Sequence, residues 1–441
     1  MENNVIRATD GPKHHLFGFH DLIAFNKTGE KLLSLETDMI NRPPLPGEEF
    51  GVGYSLWEEQ RFVKLGTTVT MNYPQGARQQ WISNSQFIVN NVVDGELGAD
   101  IYDVDLGDII HSINGCCHIL SKDKKKAYGI NYARLHRLGG YGYIGVVDKH
   151  EAEFAPKNDG IFVTDIESNK TDLLVSIAQV VECDKVSSVQ GEVQNYLTHL
   201  VLSPDGRRIA FLHRFFLSDG GIRTRLMTIG VDGHDLRCLA YGFLSHFDWK
   251  DSESIYIWGR AGGGIDSFRS NSILSSPMIT PFLSVIKSVV KTFVKKTNIL
   301  ESNFLMIADN DNKSINTFAK GVIVQDGHPM TSPIDSNTCI CDTYPDKEGI
   351  RELFFYDFKQ NKKDIVGLFK RLFEEPDMTM FSSYSEGVDQ LFFEKWMTPE
   401  QFAFARSGLH CDLHPRWNYD GTMVAFDSIH EGSRQIYIVK K

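Results

Sequence analysis

The chain has no apolar run of about 18 residues, so no segment is built to cross a bilayer as a helix. Its first residues, Met1-Glu-Asn-Asn-Val-Ile-Arg, lack the apolar stretch and cleavage signal of a secretory leader, and the expectation is a cytoplasmic protein. Positive charge is not in excess either. The 46 Lys and Arg against 57 Asp and Glu give a net charge of −11. That balance argues against general nucleic-acid binding, which needs a basic face, and an anionic ligand would have to be met by a local cluster of arginines. Cysteine is scarce: seven residues, an odd number with no framework spacing, fit reduced thiols in the same compartment. No pair of carboxylates stands at a spacing that argues for glycoside hydrolysis.

What the chain has in quantity is short β-like runs broken by polar turns. Val201-Leu-Ser-Pro-Asp-Gly-Arg-Arg-Ile-Ala-Phe-Leu is one strand–turn–strand unit, and similar units surround Asn26 and Asn418. Weaker copies bring the turn starts to 26, 83, 121, 203, 250, 332 and 418. Further strands follow each unit, which points to four-stranded repeats. The expectation is therefore an all-β fold, a seven-bladed β-propeller spanning 1–441 as one domain, with a helical insertion at about 270–300 in the fifth blade. The last copy ends after Gln435-Ile-Tyr-Ile-Val, and a strand near Asn4-Val-Ile-Arg is expected to close it. A β-sandwich with a second domain fits seven similar turns less well.

Within the insertion, residues 280–296 read as a helix with Thr280 as N-cap and Pro281 at the first position. An apolar stripe faces Lys287, Lys291 and Lys295 across it. Three readings stand for it: a helix packed on the propeller, a lid over the functional face, or a peripheral membrane contact. A second, shorter helix is expected over 364–373.

Four of the fifteen histidines share one register, four residues ahead of a turn: His199, His246, His328 and His414. In a propeller this register and the long second-to-third loops lie on the face opposite the Asp-Gly turns. The first three copies carry Leu22, Gln79 and Cys117 there, so the imidazoles occupy one half of the ring. His246, His328 and His414, with Cys411 or Asp412 nearby, make a candidate metal site for zinc or manganese; the competing reading is a wet channel lined by histidines. His199 and His136 are the candidate catalytic pair, with Tyr143 and Arg223. Arg134, Arg137, Arg214, Arg225 and Arg260 are the candidate binding groups for an anionic ligand, unless loop acids neutralise them. Together His, Tyr and Arg meet the needs of β-elimination at a uronic acid: a neutralised carboxylate, a base, and an acid for the leaving oxygen.

The phrases Asp326-Gly-His-Pro, Asp342-Thr-Tyr-Pro-Asp-Lys, Asp412-Leu-His-Pro-Arg-Trp and Ser245-His-Phe-Asp-Trp resemble those of propeller polysaccharide lyases, the oligogalacturonate lyases and the ulvan-lyase-like proteins. The likeness runs from residue 14 to the end, apart from 270–300 and 375–403. It implies lyase chemistry on acidic oligosaccharides and a metal near the channel, with His246 and His414 at positions of metal-ligand histidines. The chain departs from that pattern in carrying Asp412 where a second histidine is expected. The alternatives are a non-catalytic propeller that binds a glycan or protein partner, and a metal-dependent glycan hydrolase.

Overall fold

The computed structural model describes residues 5–185, 191–216, 221–262 and 302–441. The 270–300 insertion, with its helix 280–296, lies outside the described residues. The described chain is mostly β: five four-stranded antiparallel sheets and one of seven strands, all but one of the sheets built only from strands that follow one another in sequence. In the seven-stranded sheet the long strand Arg237–Asp251 pairs through its first half with Ile222–Gly230 and through its second half with Ser254–Ala261. The last sheet is completed by the N-terminus. Val5–Arg7 pairs with Gln435–Lys440 in the register Val5↔Val439 to Arg7↔Tyr437.

The repeated turns form for a local reason. The side chains of Asn26, Ser121, Ser203 and Asn418 each accept a hydrogen bond from the backbone N–H five residues on, at 2.9–3.0 Å. Each turn is thereby closed by its first side chain. Gly206 supplies the left-handed residue (φ +80°) that the Ser-Pro-Asp-Gly turn requires.

Apolar side chains from neighbouring sheets fill the spaces between them; Ile340, Leu353, Phe369, Trp417, Val424 and Phe426 form one such layer. Tryptophans pin adjacent sheets through their indole N–H, Trp81 to the Ala24 carbonyl (2.8 Å) and Trp417 to Met330 (3.0 Å), and within the seven-stranded sheet Trp249 bonds to Val201 (3.1 Å). A buried indole then keeps its one donor satisfied.

Two local expectations are corrected. Residues 364–373 do not form a helix: Lys362–Lys370 is a strand paired with Ile350–Asp357. The apolar residues there leave Ile365 and Leu368 exposed on an outer strand, so ladder pairing overrides the local pattern. The arginine-rich segment after Asn131 is not a loop. Tyr132–Gly139 is a helix, with Asn131 as N-cap and Gly140 as its left-handed stop.

Residues 377–410 form an arm with three short helices, Phe381–Tyr384, Gln390–Lys395 and Pro399–Arg406. Phe381, Phe392, Phe393 and Phe402 pack edge-on within it. The arm docks on the helix Tyr132–Gly139. Arg137 meets Asp389, His136 meets the Glu386 carbonyl, and Arg406 donates to the Gly139 carbonyl at 3.1 Å.

Candidate active site at a histidine-lined cavity

Four histidines from separate strands and loops converge on Phe19. Its ring lies 4.9 Å from those of His199 and His414, and 6.0 Å from those of His246 and His328. Gly18 permits this loop: its φ is +128°, and a Cβ there would sit 2.6 Å from the Gln75 backbone. His199 and His246 fall at irregularities of the ladder, between Thr198 and Val201 and between Leu244 and Phe247. A bulge re-aims a side chain away from the regular pleat. His199 and His414 are also in the left-handed region, at φ 57° and 43°, a conformation that non-glycine residues keep only where the surroundings impose it.

All four imidazoles are held from the Nδ1 side. His199 Nδ1 lies 2.8 Å from Thr198 Oγ1, and His246 Nδ1 lies 3.1 Å from Ser245 Oγ and 3.3 Å from Asp326. His328 Nδ1 donates to Asp342 at 2.9 Å, and His414 Nδ1 donates to the Gly18 carbonyl at 2.8 Å. Asp342 does more than orient one ring, because its carboxylate also accepts the backbone N–H groups of His328 (2.7 Å) and His414 (3.0 Å). With Nδ1 bonded outward, the Nε2 lone pairs of His328 and His414 are free for a ligand.

His328, Asp412 and His414 each offer one ligand atom, an imidazole nitrogen or a carboxylate oxygen, all within 4.8 Å of one another, and all three residues are buried. This donor set fits a divalent ion. Burial opposes a proton on His328, but Asp342, Asp412 and Asp326 raise its pKa above the ordinary value. Carboxylates that favour a proton on an imidazole favour a metal there as well. Burial pushes the Asp412 carboxyl up, yet His410, Arg351 and His328 hold it below the usual carboxylate range. Cys411, the sulfur candidate, is absent from the group. Its side chain is buried in the core and burial pushes the thiol up to about 11.

A cavity of about 250 Å³ opens beside these groups. His199, His246, His328, His414 and Asp412 line one side, and Arg214, Tyr141 and Tyr344 contribute to the wall. The arm supplies Trp396, Ala405, Arg406 and, at its end, His410. Arg214 donates to the Tyr141 hydroxyl at 3.0 Å, and the Arg406 guanidinium lies 5.3 Å from the Tyr141 ring centroid. Among the described residues neither arginine has a carboxylate partner, and the Nε of each is buried without a hydrogen bond. The His199 pKa falls well below its ordinary value, mainly through burial and then through Arg214 and His246.

Of the remaining site candidates, none lines this cavity. Burial drops His136 to about 4, and its Nε2 lies 2.8 Å from the Glu386 carbonyl. The Tyr143 hydroxyl accepts from Asn90 at 2.9 Å, with the ring stacked on Tyr132. Arg134 is spent on backbone carbonyls, including Asn195 at 2.6 Å and Glu153 at 2.9 Å, and Arg137 on Asp148 at 2.9 Å. Arg225 holds the Val180 and Cys183 carbonyls. Arg223 is buried beside the Ile222 carbonyl, and Arg260 stacks over Phe243. Phe19, His20, Tyr141, Tyr344, Trp396 and Arg406 were not among the sequence candidates. Arg406 and Trp396 had an indirect signal: Thr398-Pro-Glu-Gln is a helix-start sequence, and its capping box forms.

No family model matches the chain, and no curated protein matches it by sequence. Its fold is similar to that of an oligogalacturonate lyase from Vibrio parahaemolyticus, with a TM-score of 0.56 and 14% identity over 99% of this chain and 93% of that one. It is equally similar to an oligogalacturonate lyase in complex with manganese, with a TM-score of 0.58 and 14% identity over 99% and 92%. At that identity the likeness is one of fold alone, a β-propeller.

Proposed function

We propose that this chain is a single-domain, seven-bladed propeller lyase that cleaves uronate-containing acidic oligosaccharides by β-elimination. Seven blades follow if the seven-stranded sheet is two units that share the strand Arg237–Asp251. The observation that carries the function is the pair of guanidinium groups, Arg214 and Arg406, that face the cavity without a carboxylate partner. A half-buried cation without a counter-ion is costly unless a ligand supplies one, and a planar carboxylate fits an arginine fork.

His328, Asp412 and His414, with His246 beside them, are the residues that would hold a zinc or manganese ion, which when bound supplies a Lewis acid toward the ligand's carboxylate. Arg214 and Arg406 neutralise that carboxylate and make the adjacent C5 proton more acidic. His199 is neutral near pH 7, with Nδ1 committed to Thr198, so its Nε2 is the base that takes this proton. The C5–H electron pair forms the C4–C5 double bond as the C4–O bond breaks. The Tyr141 hydroxyl gives its proton to the departing glycosidic oxygen. Because Arg214 donates to that hydroxyl oxygen, the phenolic proton is directed elsewhere. No water is consumed.

The test is incubation with polyuronates and sulfated uronate polymers, with zinc or manganese added. The wild type should generate the ultraviolet absorbance of an unsaturated uronate, and His199→Ala should not. Cleavage without that absorbance would make the protein a hydrolase, and retention without cleavage a binding propeller; either result contradicts the proposal.

A further inference from the structure

Four of the six tryptophans, Trp57, Trp81, Trp249 and Trp417, are buried with the indole N–H bonded to a backbone carbonyl. Trp258 is buried against Phe304. Trp396 differs in every respect. It is 44% exposed, it lies in the cavity wall with Arg406 and Tyr141, and among the described residues its indole has neither a hydrogen bond nor a ring partner. Its support is nonetheless firm. Trp396 ends the helix Gln390–Lys395, its backbone N–H donates to the Phe392 carbonyl at 2.9 Å, and Phe392 is buried in the arm's aromatic cluster. Asp389 caps the same helix and meets Arg137 on the propeller.

We propose that Trp396 is a stacking platform for a pyranose ring, adjacent to the ring whose carboxylate Arg214 and Arg406 hold. The inference rests on the acidic-glycan reading of the cavity. The apolar C–H face of a sugar ring covers an indole face, and the free indole N–H can donate to a ring hydroxyl. The arm would then contribute an aromatic surface and a guanidinium to one ligand. The sheets contribute the imidazoles and Arg214. Trp396 is a specificity-determining residue in this arrangement and takes no part in the chemical step.

The experiment is a titration of tryptophan fluorescence in the full chain, using His199→Gln to prevent turnover and a uronate trisaccharide as the probe. Because the other five indoles are buried, the sugar-dependent change in emission should vanish in a Trp396→Phe background. In the active enzyme Trp396→Ala should raise KM for the trisaccharide about tenfold with kcat nearly unchanged, and Trp396→Phe should recover most of that loss. An emission change that persists in Trp396→Phe overturns the proposal, as does an unchanged KM in Trp396→Ala. A change driven by protein concentration without sugar would assign the surface to a second copy of the chain and overturn it too. If no lyase activity is found but Trp396 still reports the trisaccharide, the functional reading fails and the subsite stands. Activity with a silent Trp396 gives the reverse.

Discussion

Two sets of buried or half-buried arginines in this protein differ in what neutralises them. In the sheet that the N-terminus completes, Arg416 and Arg434 share the carboxylate of Asp427, and elsewhere Arg78 forks onto Asp21 at 2.8 and 2.9 Å. In the histidine-lined cavity, Arg214 and Arg406 have a tyrosine, backbone carbonyls and aromatic faces, but no carboxylate among the described residues. The first set is internally compensated, and its charge serves the fold. The second set leaves a positive field facing an opening in a protein whose net charge is −11. A ligand, rather than a neighbouring side chain, is left to complete it.

The largest effect should come from breaking the compensated set. Asp427→Ala strands two buried guanidiniums and should cost about 3–5 kcal/mol in a denaturant titration; a loss below about 1 kcal/mol would show that Asp427 does not compensate them. Next is Asp342→Asn, which removes the carboxylate that orients His328 and bonds the backbones of His328 and His414. Metal affinity measured by competition with a chelator should fall about 10–100-fold. An unchanged affinity would place the metal elsewhere.

The third prediction concerns pH. His199 must be neutral to act as a base, and its pKa is depressed, so protonation removes activity only at low pH. The acid limb of kcat/KM should lie below about 6.5, the ordinary histidine value. A limb at or above that value excludes His199 as the base. The smallest effect is expected from the uncompensated set. Arg214→Met and Arg406→Met should leave stability unchanged or raise it by up to about 1 kcal/mol, because no internal carboxylate is stranded. A loss of several kcal/mol in either variant would make that arginine a structural one.

The repeats were legible in sequence because the turns at Asn26, Ser121, Ser203 and Asn418 are each closed by their own first side chain, so the signal is local. The pairing of the N-terminal strand with Gln435–Lys440 followed from the strand missing in the last copy. The histidine register was legible for the same reason: a fixed offset from a turn fixes a position on a strand. Which residues join those histidines was not legible. Asp342 serves His328 across 14 residues and His414 across 72, and no local pattern encodes such a contact. His136 and Arg137 stood out as reactive types in a glycine-rich segment. Their partners, Glu386 and Asp389, lie about 250 residues away in sequence, so their docking role could not be read from the segment itself. Arg406 was overlooked because the arm that delivers it is placed by contacts distant in sequence, such as its own bond to the Gly139 carbonyl 267 residues away.

If Arg214 and Arg406 are reserved for a carboxylate, a ligand's acidic group should decide its affinity. The direct measurement is calorimetric titration of the His199→Gln chain with a uronate trisaccharide and with the same sugar after reduction of its carboxyl groups, each repeated in an Arg214→Met/Arg406→Met background. The acidic sugar should bind at least about tenfold more tightly than the reduced one when both arginines are present, and that difference should disappear when both are replaced. Equal binding of the two sugars, or a preference that survives the double substitution, would contradict that role for the arginines.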